Sequence, residues 1–201
     1  MDYRELKVPG AWEITPRQFG DHRGVFLEWF KEPGATGFSG VVGRTLDLQQ
    51  ANCSVSAAGV LRGIHFADVP PGQAKYITCV RGAILDVVVD LRVGSPTFGQ
   101  WDSVLLDDVD RRAMFVSEGL GHAFLSLADD STVVYLCSTG YAPEREHEGS
   151  PLDPESGIDW PVGGRDGDPL QWTLSDKDRA APTLRQARDG GLLPRYREET
   201  D

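Results

Sequence analysis

Lys75-Tyr76-Ile77-Thr78-Cys79-Val80, followed after Arg81-Gly82 by the run from Ala83 to Arg92 (Ala83-Ile84-Leu85-Asp86-Val87-Val88-Val89-Asp90-Leu91-Arg92), decides the fold. Both runs are rich in β-branched and apolar residues and bounded by turn formers, which predicts strands. The same signal recurs on either side, in Gly59 to Phe66, Ser103 to Leu106, Ala113 to Val116, His122 to Leu127 and Thr132 to Thr139. Seven short strands within about 80 residues have the rhythm of a sandwich or barrel. No helical period of useful length precedes residue 180, so helices crossing between parallel strands are not expected.

Toward the N-terminus, Phe19-Gly20-Asp21-His22-Arg23-Gly24 reads as a turn leading into the apolar stretch Val25 to Phe30. Toward the C-terminus, Trp160-Pro161 gives way to a polar, Gly-rich loop from Val162 to Asp168. A short helix is expected around Leu184 to Arg188, then a charged tail, mobile from about residue 189. No repeat or domain boundary is visible, and residues 1–201 are expected to form one domain. A chain of 201 residues with 40% hydrophobic content can close one sizeable core.

The 23 glycines and 13 prolines are spread through the chain, as turns between short elements require. A net charge of −11 argues against a nucleic-acid polymer or an anionic membrane as partner, because both need clustered Lys and Arg. The first twelve residues carry four charged side chains and no apolar run of leader length, so a cytoplasmic protein is expected. Cys53, Cys79 and Cys137 lack paired CxxC spacing and are odd in number. They are expected to be buried free thiols.

Of four histidines, His22 and His147 stand in charged, turn-like sequence and read as solvated. His65 and His122 lie inside apolar strand segments, where an imidazole requires a specific partner. A single strand histidine is commonly a satisfied core residue, but two of them, with Lys75 and Tyr135 on neighbouring strands, favour a polar cavity inside the barrel. A metal is the rival explanation: His65, His122 and one carboxylate can form an iron-binding facial triad, although Ala67 interrupts the His-x-His pair such sites commonly use. Arg62 and His65 are an odd number of residues apart, so a regular strand sends them to opposite faces; a bulge at Gly63 would bring both inward.

Phe19 to Glu28, Gln50-Ala51-Asn52-Cys53-Ser54, Val60 to Phe66, Gly94 to Trp101, Glu118 to Phe124, Tyr135, Tyr141, Gly157 to Pro161 and Leu174 to Asp178 occur in an order and spacing that resemble the dTDP-4-dehydrorhamnose 3,5-epimerase family, including the 3-epimerases of antibiotic deoxysugar pathways. The resemblance spans roughly residues 10 to 182. It implies a cupin-like jelly-roll barrel, all-β with a few short peripheral helices. It also implies a dTDP-linked 4-keto-6-deoxy sugar as substrate, no cofactor and no metal, and a homodimer whose N-terminal strand residues reach the neighbour's site.

By that resemblance His65 is the base, Asp178 its partner, Tyr135 the proton donor on the opposite face and Lys75 the cation beside the keto oxygen. Arg23, Glu28, Gln50, Asn52, Arg62, His122, Glu146 and Lys177 hold nucleotide and sugar, while Phe19, Phe26 and Tyr141 line the base pocket. Plainer roles compete with several of these. Ser175 to Asp178 also reads as a capping box, Tyr135 as a core tyrosine and Lys75 as a solvated strand start. Two other functions compete as well: a metal-dependent cupin oxygenase and a non-catalytic nucleotide-sugar-binding jelly roll. Inversion at carbon 3 alone and at carbons 3 and 5 are both open at this stage.

Overall fold

In a computed structural model that describes residues 1–197, the strand-forming runs become thirteen strands among the described residues. They are β1 (Asp2–Glu5), β2 (Ala11–Thr15), β3 (Gln18–Asp21), β4 (Gly24–Leu27), β5 (Gln50–Ser56), β6 (Leu61–Ala67), β7 (Lys75–Arg81), β8 (Ala83–Asp90), β9 (Trp101–Asp107), β10 (Ala113–Val116), β11 (Leu120–Ser126), β12 (Ser131–Cys137) and β13 (Glu146–Glu148). Helices α1 (Phe38–Val42), α2 (Asp176–Arg179) and α3 (Leu184–Asp189) are short and peripheral. None of them is long and apolar enough to cross a membrane.

Two antiparallel sheets form the body, in the order β1-β2-β10-β7-β12-β5 and β13-β6-β11-β8-β9. The period of two along each strand divides its residues between an inner and an outer face. Ile77, Cys79, Met114, Val116 and Val133 of the first sheet meet Ile84, Val88, Val104, Leu106, Leu120 and Phe124 of the second in one core. The outer faces are covered too. Phe38 and Leu46 pack on Tyr76 and Phe115, and Trp160, Leu174, Ala187 and Leu193 pack on Leu61, Val87 and Leu125. The strand rhythm called for a sandwich or barrel, and the result is the cupin-like jelly roll that the resemblance implies.

Helix α1 is one of the short peripheral helices expected, carried by Phe38, whose side chain is fully buried against Tyr76 and Phe115. Other expectations need correction. The segment from residue 189 does not leave the body. Leu193 is buried, Val93 N–H donates to Pro194 O at 2.8 Å and Tyr196 N–H to Val93 O at 3.0 Å. Residues 198–201 of the expected tail lie outside the described residues. Cys79 and Cys137 are buried free thiols as expected, but Cys53 is exposed. His147 is not freely solvated; its Nε2 sits 2.7 Å from Asp68 Oδ1.

Candidate active site

Strand parity decides which side chains point between the sheets. On β7, Ile77 and Cys79 belong to the inner core, so Lys75 points the same way. On β12 the matching row is Val133, Tyr135 and Cys137. Across the β5·β12 ladder Gln50 pairs with Cys137 and Asn52 with Tyr135, so both polar side chains share that inner face.

The opposing sheet supplies the histidine. Leu61, Ile64 and Phe66 of β6 pack in the outer cluster, which turns His65 inward. Along the β6·β11 ladder His122 pairs with His65 and Phe124 with Arg62, so two steps on β11 are matched by three on β6. The extra residue is a bulge at Gly63. Its φ is +105°, and a Cβ there would lie 2.5 Å from His122 O and 2.8 Å from Ala123 Cβ, so glycine is required. The bulge returns Arg62 to the inner side, where its Nε meets Ser56 Oγ at 3.2 Å on the inner row of β5.

His65, Lys75 and Tyr135 thus line one cavity of about 420 Å³ together with Gln50, Asn52, Gln73, Tyr141 and Glu146. Behind His65, Asp178 Oδ1 lies 2.8 Å from Nε2. Asp178 is only 5% exposed and sits in the first turn of α2. Ser175 Oγ accepts from Asp178 N–H at 3.0 Å and donates to Asp178 Oδ2 at 2.8 Å. The cap and the histidine partner, posed as alternatives, are one arrangement.

Electrostatics follows from this burial. Burial alone would raise the Asp178 carboxyl, but hydrogen bonds from His65, Ser175 and the Gly63 N–H outweigh it and hold the group below 3.8. An ionised Asp178 accepts Nε2–H, which leaves the lone pair of a neutral His65 on Nδ1. Burial lowers the Lys75 ammonium from its ordinary value, only partly offset by Cys137 and Glu146. Burial and the neighbouring Cys137 raise the Tyr135 phenol, with Arg62 and Asn52 opposing, so it keeps its proton at neutral pH.

Around the mouth, Tyr141 N–H donates to Gln50 Oε1 at 2.8 Å, and Gln50 Nε2 to Asn52 Oδ1 at 2.8 Å. Lys177 forms an ion pair with Glu148, which lies beside His65 in the β13·β6 ladder. His122 is nearly enclosed and holds Asp86 Oδ1 at 2.6 Å.

Four expected binding residues lie elsewhere. Phe19, Arg23, Phe26 and Glu28 belong to the β3–β4 hairpin and the residue after it, outside the cavity of their own chain. Both strands are exposed along nearly their whole length, and Arg23 is tied at 2.5 Å to its neighbour Asp21.

Sequence reasoning overlooked Gln73 and Cys137 near the cavity and Asp86 behind His122. Asp86 left a signal, a lone carboxylate inside the apolar run Ile84 to Val89. Among the described residues no three His, Cys, Asp or Glu side chains cluster to hold a metal, and each strand histidine commits Nε2 to a carboxylate. A larger hollow of about 780 Å³ beside Gly10 and Tyr196 has inner arginines already paired, Arg92 with Asp90 and Arg44 with Glu118.

Comparison with known proteins converges on one family. The family model described as dTDP-4-dehydrorhamnose 3,5-epimerase matches residues 5–186. A dTDP-4-dehydrorhamnose 3,5-epimerase of Mycolicibacterium smegmatis is 60% identical, over 98% of this chain and 92% of the relative. The solved structure of an epimerase of Mycobacterium tuberculosis superposes with a TM-score of 0.90 at 58% identity, covering 98% of this chain and 94% of that one. A 3′-monoepimerase of Streptomyces bikiniensis, solved in complex with dTDP-quinovose, gives 0.87 at 52% identity, covering 95% of this chain and 92% of that one. A jelly roll that carries this constellation, alike in sequence and fold to such enzymes over nearly its whole length, belongs to the dTDP-4-dehydrorhamnose 3,5-epimerase family.

Proposed function

We propose that this chain epimerises a dTDP-linked 4-keto-6-deoxyhexose at carbon 3, carbon 5 or both, by proton transfer beside the ketone. The observation that carries the proposal is the shared cavity: His65, backed by Asp178, enters from one sheet, and Tyr135 and Lys75 enter from the other. The ketone acidifies the adjacent C–H. His65 Nδ1 takes that proton, and the electron pair moves onto the ketone oxygen as an enolate. The Lys75 ammonium offsets the developing charge, and the Tyr135 hydroxyl delivers a proton to the opposite face of the same carbon. Atoms and charge balance once the phenolate recovers its proton from His65 or solvent.

Gln50, Asn52, Arg62, His122, Glu146 and Lys177 are assigned to sugar and diphosphate, and Tyr141 to the base. The stand-off hairpin supports a homodimer. A strand pair with Phe19 and Phe26 about half or more exposed and no extensive packing on its own body among the described residues is suited to entering a second copy, carrying Arg23 and Glu28 to that copy's cavity. Three free thiols fit a reducing compartment, and the cytoplasm is the assigned location.

The test is proton NMR in heavy water with dTDP-4-keto-6-deoxyglucose. Loss of the carbon-3 or carbon-5 hydrogen signal is expected, and the carbon that exchanges identifies the product. His65→Asn should stop exchange with circular dichroism unchanged. A wild-type protein that exchanges neither position defeats the proposal.

A further inference from the structure

Inside β8 the order Ile84, Asp86, Val88 places a carboxylate between two side chains of the inter-sheet core. Hydrocarbon would pack better there. Asp86 is fully buried, its Oδ1 meets His122 Nε2 at 2.6 Å, and its Oδ2 has no hydrogen-bond partner among the described residues. A carboxylate oxygen left bare in a core is a cost that packing alone does not explain. On β11 His122 sits between Leu120 and Phe124, which face that core, and directly opposite His65 in the ladder. Its Nδ1 has no protein partner among the described residues, and 11% of its side chain remains accessible.

Resting on the function proposed above, we infer that Asp86 is a positioning residue acting through His122: it grips Nε2, locks the ring, and makes Nδ1–H the donor offered to a sugar or phosphate oxygen of the ligand. With Oδ2 buried and unpartnered among the described residues, an ionised Asp86 facing a neutral ring would leave an uncompensated charge in the core, so the pair holds one proton between Oδ1 and Nε2 in addition to the ring's own. Burial pushes the Asp86 carboxyl up in the same sense, with His122 opposing. Wherever that proton sits, on Oδ1 facing a bare Nε2 or on Nε2 facing an ionised Oδ1, the other ring nitrogen carries hydrogen. A histidine without this partner would divide between tautomers and rotamers, and half of its states would present a lone pair to an oxygen that is itself an acceptor.

The experiment is a double-mutant cycle with Asp86→Asn and His122→Asn, measuring kcat, KM for the 4-keto sugar nucleotide, dTDP affinity and Tm. Asp86→Asn should raise KM about tenfold or more, the size of one lost hydrogen bond to a charged group, with kcat little changed and Tm equal or higher. In the His122→Asn background it should add nothing further. An effect of Asp86→Asn that persists in full without His122, or an unchanged KM, overturns the inference. Should Asp86→Asn not fold, nitrogen-15 spectra of the wild-type histidines decide: His122 Nδ1 must be protonated at the pH of activity, and a bare Nδ1 overturns it. Failure of the parent reading is separable, because wild-type protein would then show no carbon–hydrogen exchange at all.

Discussion

Asp178 Oδ1 lies 2.8 Å from His65 Nε2 although 113 residues separate the two along the chain. The same carboxylate accepts from Ser175 Oγ through its other oxygen and closes the first turn of α2. The orientation of the His65 ring is therefore built from a helix cap, and under the proposed function Nδ1 is the nitrogen that takes the proton.

Replacing Asp178 by Asn keeps the shape and removes the charge. An amide does not stabilise the imidazolium that forms when Nδ1 takes a proton, and it can turn its NH₂ toward Nε2 and select the wrong tautomer. The expected result is a fall in kcat of about 10²–10⁴-fold, the range known for general-base support, with KM little affected. Stability moves as well. Because the folded carboxyl titrates below 3.8, its contribution is complete above that value and drains away as pH falls through the lowered folded value. Asp178→Asn should lack this acid limb, so its Tm should vary less than wild type between pH 5 and 3 (about the window set by the carboxylate reference). A wild-type kcat in the variant would remove Asp178 from the mechanism.

Tyr135→Phe separates the acid from the base. His65 can still remove the proton, exchange it with solvent and return a deuteron to the same face, while delivery to the other face has lost its donor. Deuterium should enter the substrate with retained configuration, and inversion should slow by about 10²–10⁴-fold. Parallel loss of exchange and inversion would mean that the phenol is needed earlier, to bind or to polarise the ketone.

Lys75 is half-buried in the cavity wall without an ion-pair partner among the described residues, and desolvation there lowers its pKa from 10.5. The charged form thus costs stability. That cost is full below the folded pKa and fades as pH rises from there through the unfolded value of 10.5. Lys75→Met should raise Tm at neutral pH, by an amount that shrinks as the solution becomes alkaline, while turnover falls. A variant that is both active and less stable would make Lys75 an ordinary packing residue.

The strands were legible because their β-branched runs and Gly-bounded ends carry a local signal; α1 was not, since Phe38-Ser39-Gly40-Val41-Val42 is too short to show a period. Cys53 shows a different failure. On β5 the polar residues Gln50, Asn52 and Ser54 face inward and Ala51, Cys53 and Val55 face out, the reverse of the usual rule. A strand that walls a polar cavity inverts the inside-out pattern, so a thiol assigned by hydrophobicity was placed on the wrong face. Asp178 carried no local cue beyond its cap, because its meeting with His65 exists only once the C-terminal segment has wrapped over the second sheet. The resemblance supplied that pairing; strand chemistry did not.

The hairpin yields the last prediction. Its Arg23 is remote from the cavity of its own chain, whereas His65 lines it. If the two meet across a two-fold dimer, each site takes His65 from one protomer and Arg23 from its partner. Arg23→Ala and His65→Asn should each be nearly inactive alone. Mixing them under conditions that let subunits exchange makes half of the dimers hybrid, and each hybrid holds one site with both substitutions and one with neither. About a quarter of wild-type activity should return at equal mixing, as two-fold symmetry requires. Recovery depends on contact between copies, so it should vanish if exchange is blocked by cross-linking each parent beforehand. Hybrids verified by native mass spectrometry yet devoid of activity would show that Arg23 serves the site of its own chain or none.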